Sequence, residues 1–395
     1  MLESYPLITT VVASVVMAFL FGLLANRLRL PTILGYLLAG MMLGPNTPGF
    51  IANINLAEQL AEIGVILLMF GVGMHFSISD LTRIHRVAIP GAVIQMIVTS
   101  VICTVVAMLM KHSFLESLIF GITLSVASTV VLIRALEQYK FIDSHVGKVA
   151  IGWLIVEDIA MIVVLVLLPV FSEISIHGKD FELYIILEMI FSTLVKIMAF
   201  IVVIVIVGKK LLPRLLVSIA KTKSRELMVL GIIAISSGFA FIAYTIFGTS
   251  FALGAFMAGF VLNESPIGKK AAEKSLPLRD VFAVLFFVSA GMLFNPAVLI
   301  KDPILILVAF LLVVFGKSAV AYFIMRIFRQ DYYNSLILAV SLAQIGEFSF
   351  ILATLALKLN IFSNIVYDMV IASAIISITI NPFLFKMAKR YKPLS

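Results

Sequence analysis

The chain is a succession of apolar runs, most about twenty residues long, separated by short polar gaps from one end to the other. Thirteen runs stand out, at 7–26, 31–44, 59–78, 87–110, 114–136, 148–171, 182–208, 226–246, 249–263, 279–295, 303–325, 334–357 and 366–385. A helix of about 20 apolar residues crosses a hydrocarbon core about 30 Å thick. In lipid every backbone N–H and C=O must be paired within the protein, and runs of this length satisfy that as helices. Of 395 residues 62% are hydrophobic and 13% charged, more apolar surface than a water-soluble fold of this size buries. The expected fold is therefore an all-α polytopic membrane protein with about thirteen spans. The run from Leu7 has no basic stretch before it and no small-residue cleavage site, so it reads as a retained span.

The basic residues test this segmentation and orient it. Alternate gaps, beginning after the first run, hold Arg27 and Arg29; Arg83 and Arg86; and Arg134, Lys140 and Lys148. They continue with six from Lys209 to Arg225, four from Lys269 to Arg279, Arg326 and Arg329, and four from Lys386 to Lys392. The opposite gaps hold only Lys111, Lys179, Lys301 and Lys358. Lys and Arg accumulate on the cytoplasmic side, which places the N-terminus outside and the C-terminus in the cytoplasm, in a cell (inner) membrane. The net charge of +8 belongs to this topology rather than to nucleic-acid binding, since no aromatic stacking platform accompanies it.

The chain also repeats itself. Leu34-Gly35 with Ala39-Gly40 and Leu43 matches Leu253-Gly254 with Ala258-Gly259 and Leu262, at an offset of 219. Gly73-Met74 matches Gly291-Met292, and Thr123-Leu124-Ser125 matches Ser341-Leu342-Ala343, both at 218. The offset equals seven spans, an odd number, so the second copy inserts upside down. Inverted repeats place the site of a secondary transporter near the bilayer midplane. The expected organisation is one membrane domain over 1–395, with repeat one at about 7–171, a linker helix at about 182–208 and repeat two at about 226–388.

Charged side chains in mid-membrane are costly and are functional candidates by default. Glu157 and Asp158 adjoin in the sixth run, and Asp158 lies about 15 Å along the helix from Lys148, the depth of the midplane. Neighbouring helical residues point about 100° apart, so one acid can face a basic partner while the other faces water. Lys317, in the eleventh run, is the leading partner and is assigned to Glu157; Lys196, in the seventh run, is the rival. The fifth and twelfth runs correspond in the repeat and are polar at their centres, with Ser125, Ser128 and Thr129 in one and Ser341, Gln344, Gly346, Glu347 and Ser349 in the other. Interrupted helices expose backbone groups that need such partners, and Arg134 and Glu347 are placed to balance the half-helix ends. Ordinary helix–helix hydrogen bonds are the plainer reading of the fifth run's hydroxyls.

No hydrolytic or redox constellation appears. The single Cys103 excludes a CxxC site, the histidines lack metal-ligand spacing, and no phosphate-cradling loop is present, so neither an enzyme nor a cofactor is expected within this chain.

Leu34 to Gly44, Gly64 to Phe76, Ser125 to Leu132, Glu157-Asp158, Leu285 to Asn295 and Gly346-Glu347-Phe348 together resemble the monovalent cation:proton antiporter-2 family, Kef type, along essentially the whole chain. The resemblance implies a homodimeric, elevator-like antiporter with two unwound helices that cross in its core, here the fifth and twelfth spans. Matched by position, it implies Asp158 as the ion-binding acid, Lys317 as the core lysine, and Ser128 and Thr129 as the unwound segment. Kef-type systems carry Gln before the ion-binding Asp, whereas Glu157 stands here, as in electrogenic sodium/proton relatives. They also carry an acidic stretch where this chain has Gly268 to Lys274. Many continue into a cytoplasmic nucleotide-binding domain, which is expected to be absent from a chain stopping at Ser395.

The expectation is thus an antiporter that holds either a proton or a monovalent metal cation, potassium before sodium, at Asp158. Glu157, Ser128 and Thr129 complete the ion site, and Lys317, Glu347, Arg134 and Gln344 support it. A sodium/proton exchanger with the same site, a cation channel and a solute symporter are the alternatives the residues leave open.

Overall fold

The computed structural model describes residues 6–391 except 29, 49–51, 76–77, 143, 178–187, 189–190, 193–194, 197, 201, 249 and 264–265. Among the described residues the secondary structure is entirely helical. The first runs form α1 (Pro6–Arg27), α2 (Thr32–Leu43), α3 (Ile54–His75) and α4 (Ile78–Leu109). The fifth is divided into α5 (Phe114–Ser125) and α6 (Thr129–Gln138), and the sixth is α7 (His145–His177). Part of the 182–208 run, chiefly 182–187, lies outside the described residues. It ends in a π-helical turn, Ile204–Gly208, that continues into α8 (Lys209–Lys221). Then follow α9 (Arg225–Phe247), α10 (Phe251–Asn263) and α11 (Pro266–Leu293). The eleventh run is α12 (Pro303–Leu311), a π-helical segment Leu312–Lys317, and α13 (Ser318–Ile327). The twelfth is divided into α14 (Tyr332–Ser341) and α15 (Glu347–Lys358), and the last is α16 (Asn364–Lys389). Seven described helices are individually long and apolar enough to cross a membrane.

Two boundaries differ most from the sequence reading. The fourth helix begins at Ile78 rather than 87 and the tenth at Pro266 rather than 279. Hydropathy marks where a helix meets lipid, whereas residues such as Lys, Ala and Glu at 269–274 favour helix wherever they are, so the helix runs on past its apolar part.

The chain folds as two compact units: Met1–Val16 with Ile51–Ser77 and Ile162–Ser289, and Met17–Phe50 with Ile78–Met161 and Ala290–Ser395. Each draws on both halves of the sequence. The duplication is visible as contacts made twice. In the second unit a Cβ on Gly35 would stand 2.4 Å from the Phe21 carbonyl oxygen; in the first, one on Gly254 would stand 2.6 Å from that of Phe239. Likewise a Cβ on Gly291 would stand 2.2 Å from the Leu37 carbonyl oxygen, and one on Gly73 2.1 Å from that of Phe256. Each pair of glycines, and each pair of carbonyls, is related by the same offset of 218 or 219 residues. Only glycine permits backbones this close, and in lipid such close packing substitutes for the missing hydrophobic drive. The two inverted repeats are thus recorded in geometry as well as in letters.

Candidate functional site: the crossing of two interrupted helices

Both interruptions lie in the second unit. The backbone is extended at Val126 (φ −99°, ψ 141°) and at Ser128 (φ −82°, ψ 122°), between α5 and α6. The opposing break runs from Leu342 to Gly346, between α14 and α15. A Cβ on Gly346 would fall 2.4 Å from the Ala127 carbonyl oxygen, so the two breaks pass in backbone contact. The expected discontinuities are therefore real, including that of the fifth span, which has neither Gly nor Pro at its break.

A broken helix in a dry interior leaves carbonyls unpaired at one new end and amides at the other. Side chains take up these groups. Lys317, with no solvent exposure, donates through Nζ to the Val126 carbonyl at 3.0 Å and to the Gln344 carbonyl at 2.6 Å. One ammonium thus serves the negative ends of both upstream half-helices. The downstream half-helices begin at Ser128–Thr129 and Gly346–Glu347, where their positive ends meet Glu347. Ser128 accepts the Val131 N–H at 3.2 Å as the N-cap of α6 and donates its hydroxyl to Glu347 Oε2 at 2.9 Å. Gln344 accepts the Ser128 N–H at 3.0 Å and donates to the Ser128 carbonyl at 3.1 Å. Ser349 donates to the Thr123 carbonyl at 2.7 Å.

The acids come in from α7. Glu157, fully buried, accepts the Ala127 N–H through Oε2 at 2.8 Å. Asp158 accepts the Thr129 hydroxyl through Oδ2 at 3.1 Å. Glu157 Oε1 and Asp158 Oδ1 are buried without a hydrogen-bond partner among the described residues. The sequence reading assigns Lys317 to Glu157; the two lie within electrostatic reach of each other, and each takes a backbone partner besides, on either side of the same peptide link, Val126–Ala127. Adjacent carbonyl and amide groups at a helix break need opposite charges, and the two side chains supply them.

Of the residues singled out in the sequence, Asp158, Glu157, Ser128, Thr129, Lys317, Glu347 and Gln344 converge on this crossing. The side chain of Arg134 lies outside the described residues. Lys196 is exposed and makes none of these bonds. Gln95 and Trp153 belong to the same network and are absent from the sequence reading. Gln95 donates to the Ser125 carbonyl at 3.0 Å and accepts the Trp153 indole N–H at 3.1 Å. An amide in the middle of an apolar run, at Gln95 in 87–110, is the signal that marks it.

The chain is 48% identical over 386 residues to the cation/proton antiporter YbaL of Escherichia coli, covering 98% of this chain and 69% of that protein. It is 31% identical over 383 residues to K(+) efflux antiporter 5 of Arabidopsis thaliana, covering 96% of this chain and 66% of that protein. Among solved structures, the sodium proton antiporter MjNhaP1 from Methanocaldococcus jannaschii at pH 8 matches with a TM-score of 0.74 at 16% identity, over 97% of this chain and 98% of that one, a likeness of fold. Residues 15–388 match the transmembrane sodium/hydrogen exchanger family, and the chain belongs to that family.

Proposed function

We propose that the protein is a secondary active transporter that exchanges a monovalent cation, potassium first among them, for protons at Asp158. One observation carries the reading. Lys317, Glu347 and Gln344 are engaged with backbone or cap groups at the breaks, whereas among the described residues Asp158 bonds only to a hydroxyl and keeps Oδ1 without a partner. A buried, incompletely satisfied carboxylate is costly to keep ionised. A proton or a small alkali cation relieves that cost, and each excludes the other. If the unit carrying the crossing changes its exposure only when Asp158 is neutralised, the two ions are obliged to exchange. Thr129 and Ser128 supply further oxygen ligands beside the carboxylate, and Glu157 Oε1 is a second acidic oxygen for the cation or for a proton.

The family, and the cation/proton and potassium-efflux names of the relatives, support this reading. The asymmetry of Lys and Arg supports an N-terminus outside and a cytoplasmic C-terminus in the inner membrane. A homodimer is proposed on the family resemblance. Glu157 favours a second reading, sodium as the cation, because a second acid at the site adds charge for a more strongly hydrated ion.

The test is exchange in proteoliposomes, with potassium and sodium applied separately. Competition requires the apparent cation KM to fall as pH rises, and Asp158→Asn to abolish cation-driven proton movement. Wild-type exchange by Asp158→Asn would end the proposal.

A further inference from the structure

Resting on the assignment of Asp158 as the ion-binding acid, we propose that Gln95 and Trp153 are a positioning pair for the acid site, and that Trp153 is its built-in reporter. Gln95 is fully buried and every polar atom of its amide is in use. Oε1 accepts from Trp153 Nε1 at 3.1 Å, and Nε2 donates to the Ser125 carbonyl at 3.0 Å and to Thr99 Oγ1 at 3.2 Å. It therefore ties α4 to the last helical residue of α5 and to α7 at once. Gly91, one turn before Gln95, makes the slot for the indole: a Cβ there would lie 2.3 Å from the Trp153 ring. Trp153 itself is fully buried and lies four residues before Glu157, on the same side of α7. Glu157 in turn holds the Ala127 N–H, two residues beyond the carbonyl that Gln95 holds. The acid pair and the break are thus joined by two parallel connections, one directly through Glu157 and one through Trp153 and Gln95.

The indole N–H stands between two acceptors. It bonds to Gln95 Oε1 and also lies within electrostatic reach of the Glu157 carboxylate. When the acid pair carries more negative charge the N–H is drawn toward Glu157. When a proton or a cation neutralises the pair, the N–H stays with Gln95, which remains on the Ser125 carbonyl. The charge state of the site thereby sets the tension on the end of α5. The ionisable groups around the indole and its acid are Glu157 and Asp158 on α7, Lys317 from the π-helical segment and Glu347 on α15.

Trp153 is the single tryptophan of the chain, so its fluorescence reads this position without labelling. The purified full chain in lipid nanodiscs is titrated with potassium or sodium chloride against N-methylglucamine chloride, and with pH. The wild type is expected to change emission with the alkali cation and with pH, and Asp158→Asn to lose the cation response. Gln95→Leu, folded by thermal unfolding, is expected to move the pH profile of exchange and to raise the apparent cation KM about threefold to tenfold, the worth of one hydrogen bond. Gln95→Glu, which keeps an acceptor for the indole and loses the donor to Ser125, is expected to shift the profile as well. If Gln95→Leu does not fold, Trp153→Phe carries the kinetic comparison, with the same expected shift. A wild-type emission indifferent to cation and pH, or a folded variant with wild-type KM and pH profile, overturns the positioning pair. Loss of exchange in Asp158→Asn alongside such an indifferent emission sinks this inference alone, whereas retained exchange in that variant sinks the underlying site assignment.

Discussion

Ser128 and Gln344 complete each other's hydrogen bonding across the two interrupted helices, the Ser128 N–H donating to Gln344 Oε1 at 3.0 Å and Gln344 Nε2 returning a bond to the Ser128 carbonyl at 3.1 Å. The glutamine amide behaves as a neighbouring peptide would, offering one acceptor and one donor to a residue that has left its helix. Neither break is chemically complete without the other, which is why the two interruptions occur at matching points of the repeat.

Gln344→Leu removes the acceptor of the Ser128 N–H in a dry interior and one of two donors to the Ser128 carbonyl, which keeps the Leu132 N–H at 3.1 Å. A buried N–H left unpaired costs about 1–3 kcal/mol, so a loss of about 1–3 kcal/mol of stability is expected. Thermal unfolding of the purified variant in detergent checks this, and a midpoint equal to that of the wild type contradicts it.

Two glycines in the same unit separate close approach from tolerance. A Cβ on Gly346 meets the Ala127 carbonyl oxygen at 2.4 Å, a backbone contact that cannot yield cheaply. A Cβ on Gly316 meets only the Leu312 side chain at 3.8 Å and the Leu311 carbonyl at 3.9 Å. Gly346→Ala is expected to force the breaks apart and lower exchange at least tenfold, while Gly316→Ala leaves exchange within about twofold. Equal effects in the two variants count against the crossing as the working part.

What the sequence made legible follows from where the free energy is concentrated. The spans could be read because lipid demands long apolar helices, and the acids and Lys317 because charge in hydrocarbon is rare. The contacts at Gly35 and Gly254 were foreshadowed because close packing leaves a pattern of small residues. The backbone partners of Lys317 could not be read. A sequence shows that a buried ammonium needs a negative partner, but carbonyls freed by a helix break carry no letter of their own, and a carboxylate is the partner that letters reveal. Gln95 was hidden for a related reason, since its role depends on the Ser125 carbonyl that the break of α5 leaves free. The π-helical segment that ends at Lys317 likewise has no sequence signature comparable to proline.

Lys317→Met tests whether this lysine is first a structural cation. The variant leaves the Val126 and Gln344 carbonyls without their donor and the nearby acids without a counter-charge. Removing one partner from a buried charged network costs about 3–5 kcal/mol. The unfolding midpoint is expected to fall well below that of Asp158→Asn, which removes a negative charge that no cation pairs directly among the described residues. The reverse order of midpoints would make Lys317 a transport residue with little structural weight.

Thr129 is the residue through which cation and proton are expected to be balanced against each other. Its hydroxyl donates to Asp158 Oδ2 at 3.1 Å, a bond that favours the ionised carboxylate, the form to which a cation binds. Thr129→Val keeps the shape and removes the donor, so the proton gains on the cation. The loss of one hydrogen bond, about 0.5–1.5 kcal/mol, converts to a rise of about twofold to tenfold in the apparent cation KM at fixed pH. The same free energy moves the pH of half-maximal exchange upward by about half to one unit. Thr129→Ser keeps the hydroxyl and is expected to stay near the wild type. Exchange measured in proteoliposomes over a range of pH separates the two variants. A downward movement of the profile in Thr129→Val would mean that the hydroxyl favours the protonated carboxyl, accepting its O–H, more than the ionised one, and the order of events at Asp158 would have to be rebuilt around Thr129.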